Sequence, residues 1–551
     1  MKTLFVNANP VLFDDSPAFD AFLVEDGKIV ETGMAAKLMK AMNPDGNPES
    51  LVDLKGQPVI PGLVDAHIHL IGYAATKERN VTLKGVSSLE VMQQKIADFI
   101  KTKELDEGTW VSGSGWNHDL FPVREIPTKK DLDAVSPHHP MKLLRMCYHI
   151  CVVNTKALEL AGITKDTPDP EGGRIDRDAE GNPTGVLRET AMTLVDKAIP
   201  PLVDKEEIKA LILSACEDLV SLGFTAVHTD DFGMTGDRQA TLDAYMELDQ
   251  EGKLPLDVVL QMITYEPEDF QFYLDNGLKT GRRFNRLVCG PIKILGDGSL
   301  GSRTAALKEP YSDDPNTSGF MLMSEANLDK MIRQAFDNGF DTAIHAIGDL
   351  TMETVLNLYE KYDGLVKQHG LKPAIIHSQI ASAELLQQYK KLGVVANFQP
   401  IFTHSDWRIA EERVGPERLK YSYCWKTYLD MGIPCVGSSD APVESFNPYY
   451  NLYTAVARKD LDGNPEGGWV PEEALSREEA LKLFTLYPPM LTREVGEKGE
   501  LKPGYAADFT VLSHHPYEVE LDDLKKISAF ATYKGGEKVY ESPVFISISE
   551  N

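Results

Sequence analysis

The sequence is short of the features that would mark a membrane or secreted protein. No apolar run approaches the roughly 18 residues that a membrane-spanning helix requires. The opening residues, MKTLFVNANPVLFDD, lack a long apolar segment and a small-residue cleavage site, so we expect no secretory signal peptide. Only six cysteines are spread over 551 residues, which predicts free thiols in a reducing cytoplasm rather than a disulfide framework.

Two of these cysteines raise a metal question of their own. Cys147 and Cys151 flank His149, and thiolates with an imidazole are zinc donors. Their spacing matches no common zinc pattern, so we favour packing in a core.

Positive charge is also scarce. The 56 Lys and Arg residues face 84 Asp and Glu residues, which leaves a formal net charge of -28. An acidic surface is repelled by phosphate backbones and by anionic lipids. We therefore expect a small-molecule substrate and neither nucleic acid nor a membrane as a partner.

The two ends of the chain resemble each other in pattern. Residues 21–33, AFLVEDGKIVETG, are two apolar runs joined by Asp26-Gly27, which is a strong hairpin signal. Near the other end, GYAADFTVLS and AFATYKGGEKVYE show similar alternation around Gly-Gly. We predict that residues 1–60 and 491–551 build one small β-sandwich from both ends.

The middle of the chain alternates short apolar runs with helix-like stretches, which favours a parallel sheet with crossover helices. With LVDAHIHL around residue 67, eight such runs can be counted, the number in a TIM barrel. The other seven are residues 224–231, 256–265, 286–297, 341–349, 373–379, 393–400 and 433–442. We predict an α/β (β/α)8 barrel over residues 61–490, with an insertion at about 72–215 after strand one.

Polar residues end several of these apolar runs. His67 and His69 lie two residues apart on strand one, so both imidazoles point to the same side. In this fold the carboxyl ends of the strands form the active site. The other strand ends bring Lys293, His345, His377 and Asp440 to the same mouth. Histidine and carboxylate suit zinc and similar divalent ions.

Each residue alone also has an ordinary structural explanation. A histidine at a strand end is more often simply hydrogen-bonded, Lys293 could form a salt bridge, and Asp440 could cap a helix. Their joint occurrence in barrel order is what indicates a metal site.

The order His-x-His, Lys, His, His, Asp on strands one, four, five, six and eight resembles the amidohydrolase superfamily. Further phrases resemble its large-insertion branch, which includes N-substituted formamide deformylase. They are SGSGWNHDLFP (112–122), GGRIDRDAEGNPTGVLRETA (172–191), IKILGDGSLGSRTAAL (292–307), HAIGD (345–349), GSSDAPVESFNP (437–448) and GELKPGYAADFTVLS (499–513). The resemblance covers nearly the whole chain. One departure is IIHSQ in strand six, where the branch more often has EHAQ.

The resemblance implies one or two zinc-like ions held by the six residues above. Lys293 would be carboxylated by CO2 and bridge two ions, or it would stay unmodified beside a single ion. The metal would supply hydroxide at neutral pH. Asp440 would take the proton of the water and pass it to the leaving nitrogen, with His377 near the reacting carbonyl. Dimers are common among such relatives, so a homodimer is one candidate assembly.

Four further residues are candidates for substrate contact. Trp116, Asn117 and His118 lie in the insertion, and they contact substrate if it folds over the barrel mouth. Packing in the core of the insertion is the alternative. Arg303 follows strand four and could bind an anionic group, although a salt bridge is its simpler role.

The leading functional hypothesis is a metal-dependent hydrolase of a non-peptide carbon–nitrogen bond of the amide or formamide type. A deaminase acting on a ring C=N with one metal is the nearest alternative, and the presence of Lys293 distinguishes the two. A non-catalytic binding protein on the same fold is disfavoured, because all six ligand positions are filled.

Overall fold

The computed structural model describes residues 2–14, 17–42, 50–145, 150–170 and 173–549. Cys147 and His149 lie outside these residues, so their packing stays a prediction. The chain forms two compact units: Met1–Ile71 together with Asp204–Asn551, and Gly72–Val203. Within the described ranges, no helix has both the length and the apolar character needed to cross a bilayer.

The first unit contains the predicted barrel. Eight parallel strands follow one another in chain order across a single sheet, and each is hydrogen-bonded to the next. They are Leu63–Ile68, Phe224–Thr229, Asp257–Ile263, Leu287–Leu295, Thr342–Ala346, Ala374–His377, Val395–Phe398 and Cys435–Gly437. The predicted fold, a TIM-like barrel with an insertion after strand one and a sandwich from both chain ends, is confirmed.

The last barrel strand meets the first through main-chain contacts at its end. The N–H of Asp440 donates to the carbonyl of His67 at 2.9 Å, and the N–H of His69 donates to the carbonyl of Ala441 at 2.8 Å. Two candidate ligands on strand one are thereby fixed directly to the candidate on strand eight.

Some helices of this unit begin and end at recognisable capping residues. Helix Ala383–Leu392, for example, starts after Ser382, whose hydroxyl accepts from the N–H of Leu385, and stops at Gly393 with φ of 66°. The other helices of the unit are Ala35–Met42, Lys205–Ser221, Arg238–Gln250, Phe270–Asp275, Glu325–Asp337, Asp349–Lys361, Asp363–His369, Phe402–Asp406, Ala410–Leu419, Trp425–Asp430, Pro448–Ala457, Arg477–Leu483 and Pro543–Ser549.

The β-sandwich joins both ends of the chain. One sheet has the order Lys28–Gly33, Ala21–Glu25, Lys2–Val6 and Ser50–Asp53. The other has the order Asn9–Pro10, Pro58–Pro61, Phe509–Leu512, Ala529–Lys534 and Glu537–Glu541. Its core is aromatic: Phe5 and Phe22 contact Phe509, which stacks on Tyr533 with ring centroids 4.5 Å apart. Apolar rings from both ends are therefore needed to fill it.

The second unit is a mixed sheet with helices. Its strand order is Gly173–Arg177, Pro183–Glu189, Ile150–Val153, Met141–Arg145, Val111–Trp116 and Asn80–Thr82. The helices are Leu70–Arg79, which leads in from strand one, Leu89–Thr102, Lys129–Asp133, Thr155–Leu160 and Thr193–Asp196. The unit ends at Val203, before the boundary placed near residue 215, because helix Lys205–Ser221 packs against the second barrel strand and helix Arg238–Gln250.

Candidate metal centre

The first barrel strand presents two imidazoles to one carboxylate. Nε2 of His67 lies 3.2 Å from Oδ1 of Asp440, and Nε2 of His69 lies 3.3 Å from the same oxygen. One ligand atom from each of the three residues falls within 4.8 Å of the others. Two imidazole nitrogens and a carboxylate oxygen are donors that zinc accepts, so this set fits a divalent ion.

Neighbouring groups determine which ring nitrogen of each histidine is free. Oε1 of Gln261 lies 2.7 Å from Nδ1 of His67, while Nε2 of Gln261 donates to the carbonyl of Ala66. An amide oxygen can only accept, so Nδ1 of His67 carries the proton and Nε2 keeps its lone pair. The backbone carbonyl of Asp230 lies 3.0 Å from Nδ1 of His69, so Nε2 is the ring nitrogen that His69 presents to Asp440. Such partners are typical of metal-binding histidines.

The histidines of strands five and six are also oriented by hydrogen-bond acceptors, but through different ring nitrogens. Oε1 of Gln399 lies 2.8 Å from Nδ1 of His377, and Nε2 of Gln399 donates to Ser438 at 2.8 Å. His377 therefore also keeps a free Nε2. His345 is reversed, because its Nε2 lies 3.1 Å from the carbonyl of Gly298 and so leaves Nδ1 free.

Lys293 of strand four lies beside these groups. Its Nζ is 3.1 Å from Nε2 of His67 and 3.6 Å from Oδ2 of Asp230, and only 1% of its side chain is exposed. The lysine amine therefore lies next to the imidazoles of the candidate metal centre.

Ring contacts connect the remaining members. The centroids of His345 and His377 are 4.3 Å apart, and those of His67 and His377 are 6.2 Å apart. The structure therefore brings together all six residues that the sequence placed at the barrel mouth: His67, His69, Lys293, His345, His377 and Asp440.

Burial keeps two of the imidazoles neutral. It lowers the pKa of His67 to about 4, with the charge of Lys293 acting in the same direction. It also holds the pKa of His377 well below its usual range, assisted by the charge of His345. Neutral imidazole is the form that binds a metal, so these two residues need to lose no proton at neutral pH.

His69 and Asp440 form a charged pair in the protein without metal. Burial opposes the charged form of His69, but the hydrogen bond and charge of Asp440, with the charge of Asp230, raise its pKa to about 9. Burial also opposes ionisation of Asp440, yet its close contacts with His67 and His69 keep its pKa well below the usual range. A metal ion must therefore displace a proton from His69, which couples binding to pH.

The backbone is strained at two of the candidate ligands. His377 has φ of 80°, its neighbour Ser378 has φ of 50°, and Asp440 has φ of 61°. Non-glycine residues rarely adopt this left-handed region, and such strain is concentrated at functional sites.

The predicted substrate contacts are placed less favourably. Trp116 is completely buried in the core of the second unit, where its Nε1 donates to the carbonyl of Leu143 at 2.9 Å. This is the packing in the core of the insertion that the sequence analysis gave as the alternative, and a contact of Trp116 with substrate stays a prediction. Asn117 and His118 are half-buried and contact Arg145, so their role stays a prediction.

Arg303 is engaged within its own loop. Its guanidinium donates to both carboxylate oxygens of Asp313, at 3.1 and 2.8 Å. This is the salt bridge that the sequence analysis weighed against a substrate role. It uses the pair of guanidinium N–H donors that would otherwise bind an anionic substrate group.

The sequence analysis missed the groups that orient the ligands. Gln261 and Gln399 lie on or next to strands three and seven, in the phrases LQMI and NFQP, and each was treated as part of an apolar run. A glutamine within a buried apolar run indicates a hydrogen-bonding role, because a buried side-chain amide needs hydrogen-bond partners. Asp230 was likewise passed over at the end of strand two.

The chain is similar to known amidohydrolases over nearly its whole length. The Amidohydrolase family model matches residues 50–540. The chain is 35% identical to the putative amidohydrolase YtcJ of Bacillus subtilis over 531 residues, covering 96% of this chain and 97% of that one. It is 27% identical to the N-substituted formamide deformylase of Arthrobacter pascens, with 98% of each chain covered.

A solved structure shows the same fold. The crystal structure of an uncharacterized metal-dependent hydrolase from Pyrococcus horikoshii superposes with a TM-score of 0.78 at 29% identity, covering 95% of this chain and 99% of that one. The barrel and its donor set define a metal-dependent hydrolase. The chain belongs to the amidohydrolase family, and it acts on carbon–nitrogen bonds.

Proposed function

We propose that this enzyme hydrolyses a non-peptide carbon–nitrogen bond of the amide or formamide type in a small molecule. The observation that carries the proposal is the convergence of Nε2 of His67 and Nε2 of His69 on one oxygen of Asp440. The name of the formamide deformylase relative supports the bond type.

We propose zinc as the metal, held by His67, His69 and Asp440, with His345 and His377 as donors for a second ion. A bound divalent ion supplies Lewis acidity, which makes water acidic enough to act as a nucleophile near neutral pH. The prepared lone pairs of the imidazoles support this assignment, since zinc prefers such nitrogen donors.

Lys293 is proposed to be carboxylated on Nζ by CO2 with release of a proton, which would give an anionic oxygen donor for the metal centre. Its position supports this, because the buried amine lies 3.1 Å from Nε2 of His67 and so beside the donors that a carbamate would join. The alternative is an unmodified Lys293 and a single ion held by the histidines and Asp440.

Asp440 is proposed as the proton carrier of the reaction. Its pKa lies well below the usual range, so it is ionised at neutral pH and can accept a proton from water. The same carboxyl can then protonate the leaving nitrogen, because the two transfers follow one another. The only N–H of neutral His377 is directed at Gln399, so we assign this residue to the ion rather than to the substrate carbonyl.

For the cellular setting, we propose a cytoplasmic enzyme with a small-molecule substrate, no nucleic-acid or membrane partner, and a homodimer as the candidate assembly. The five cysteines within the described ranges are all free and buried, which supports a reducing compartment. The net charge of -28 is unfavourable for polyanions.

The test is an activity screen on zinc-loaded protein with N-formyl amines, N-acyl compounds and aminopyrimidines. We expect release of an amine together with formate or another carboxylate, and loss of this activity after chelation. Ammonia release from aminopyrimidines alone would favour the deaminase. A metal-free sample that hydrolyses the same substrate equally fast would overturn the proposal.

A further inference from the structure

Two neighbouring aspartates at the end of the second barrel strand have different surroundings. Oδ1 of Asp231 accepts the N–H of Ile71 at 2.8 Å, and its Oδ2 accepts the hydroxyls of Thr229 and Tyr245. Every oxygen of the Asp231 carboxylate therefore has a partner, and its role is to connect strand two with the segment that follows strand one.

Asp230 is buried to the same degree but is not satisfied. Only 2% of the residue is exposed, and among the described residues Oδ1 has no hydrogen-bond partner. Its Oδ2 lies 3.6 Å from Nζ of Lys293, which is an ion-pair distance longer than a hydrogen bond. The side chain is thus directed toward the cluster formed by Lys293 and His67.

A buried carboxylate with one free oxygen is costly unless a cation compensates its charge. Lys293 compensates it only in part, because no hydrogen bond is formed. If Lys293 is carboxylated, its side chain becomes an anion and no longer compensates the negative charge of Asp230. In either state, a divalent cation would both satisfy the free oxygen of Asp230 and compensate its charge.

The backbone of Asp230 already belongs to the site. Its carbonyl accepts from Nδ1 of His69 and so fixes the ring nitrogen that His69 offers. Main chain and side chain of one residue therefore both face the donor cluster.

We propose that Asp230 is a further carboxylate ligand of the metal centre, and that its free Oδ1 contacts the divalent ion. This rests on the metal site of the proposed function. It adds strand two to the strands that supply donors, and it adds one negative charge to the centre.

The test compares Asp230→Asn with the matched control Asp231→Asn. Both variants keep the side-chain shape, and each removes one of two adjacent buried charges. Affinity and stoichiometry for Zn²⁺ alone are measured by chelator competition and elemental analysis. We expect Asp230→Asn to weaken Zn²⁺ binding by about tenfold or more, and Asp231→Asn to leave it within about twofold.

Thermal stability separates a lost ligand from damage to the fold. Metal-free Asp230→Asn should melt near or above the temperature of metal-free wild type, because a buried charge that Lys293 compensates only in part is gone. Its melting temperature should rise less on adding Zn²⁺. Asp231→Asn should melt lower with and without Zn²⁺. In Co²⁺-loaded protein, only Asp230→Asn should alter the visible d–d absorption.

The outcomes are distinguishable from those of the proposed function. Wild-type protein that binds no Zn²⁺ would refute the metal site itself. Wild type and Asp230→Asn that bind Zn²⁺ equally, with the same Co²⁺ spectrum, would overturn only the inference and leave Asp230 as an ion-pair partner of Lys293. If Asp230→Asn does not fold, Asp230→Ala is measured against Asp231→Ala by the same criteria.

Discussion

Gln399 holds His377 in one orientation and cannot itself rotate. Its Oε1 accepts from Nδ1 of His377 at 2.8 Å, while its Nε2 donates to the carbonyl of Asn397 at 3.3 Å and to Ser438 at 2.8 Å. Reversing the amide would place two donors against each other at the histidine. The ring nitrogen that His377 offers is therefore decided by a residue on another strand.

The first prediction concerns this partner. Gln399→Leu should weaken Zn²⁺ affinity by roughly 10–100-fold, because the imidazole loses the acceptor that orients it. Gln399→Glu keeps an acceptor at the same place and should retain most of the affinity. Chelator competition measures both, and equal affinity of the leucine variant would remove Gln399 from any role in metal binding.

Asp440→Asn should abolish turnover while the protein keeps its fold and most of its metal. An amide at this position cannot accept the proton of water, so kcat should fall by roughly 10²–10⁴-fold. The measurement is kcat on the best substrate of the screen, with metal content and circular dichroism determined on the same sample. Full activity of this variant would exclude Asp440 from proton transfer.

Lys293→Ala should lower the metal content from two ions per chain to one. The amine is buried 3.1 Å from Nε2 of His67, so its removal deletes the group that would carry the bridging carbamate. The measurement is elemental analysis after dialysis, and bicarbonate should raise the second-ion occupancy of wild type only. Unchanged metal content and rate would favour the single-ion site.

Acid should destabilise the first unit through Asp257 of the third barrel strand. Burial opposes ionisation of this carboxyl, but Lys534 at 2.9 Å, Lys498 at 2.6 Å and Arg283 at 3.4 Å keep its pKa far below the usual range. A depressed folded-state pKa contributes stability that is full above the unfolded-state value of about 4 and declines as the pH falls below it.

The matched variant is Asp257→Asn, which should lose about 1–3 kcal/mol of unfolding free energy at pH 7, because Lys534 then keeps only Asp508 as a carboxylate partner. Urea unfolding at pH 7, 5, 4 and 3 measures the difference from wild type. We expect this difference to shrink between pH 5 and 3, and a difference independent of pH would contradict the assignment.

The barrel could be predicted because its signals are local. Each strand is a short apolar run, and His67 and His69 lie on one face by the geometry of a single strand. The other four candidates each follow an apolar run, and the barrel topology places the ends of these strands at one mouth. They are Lys293, His345, His377 and Asp440.

The remaining parts of the site depend on pairings that no local pattern contains. Gln261 reaches His67 from strand three, although nearly two hundred positions separate them in the chain. Trp116 stands beside polar residues, and only its packing in the core of the second unit shows that it is buried. Asp230 and Asp231 are adjacent residues of the same type, so the sequence alone does not distinguish their roles. Their hydrogen bonds in the structure do.

The sandwich made from both chain ends imposes an order on biosynthesis. Strand Pro58–Pro61 pairs with Phe509–Leu512, so it lacks this neighbour until roughly 450 further residues have been made, a delay of tens of seconds at about 5–20 residues per second. Meanwhile Phe5 and Phe22 have no Phe509 to cover them. A nascent chain released before residue 509 would expose an unpaired strand edge and bare aromatic rings, which are the features that recruit chaperones and promote aggregation.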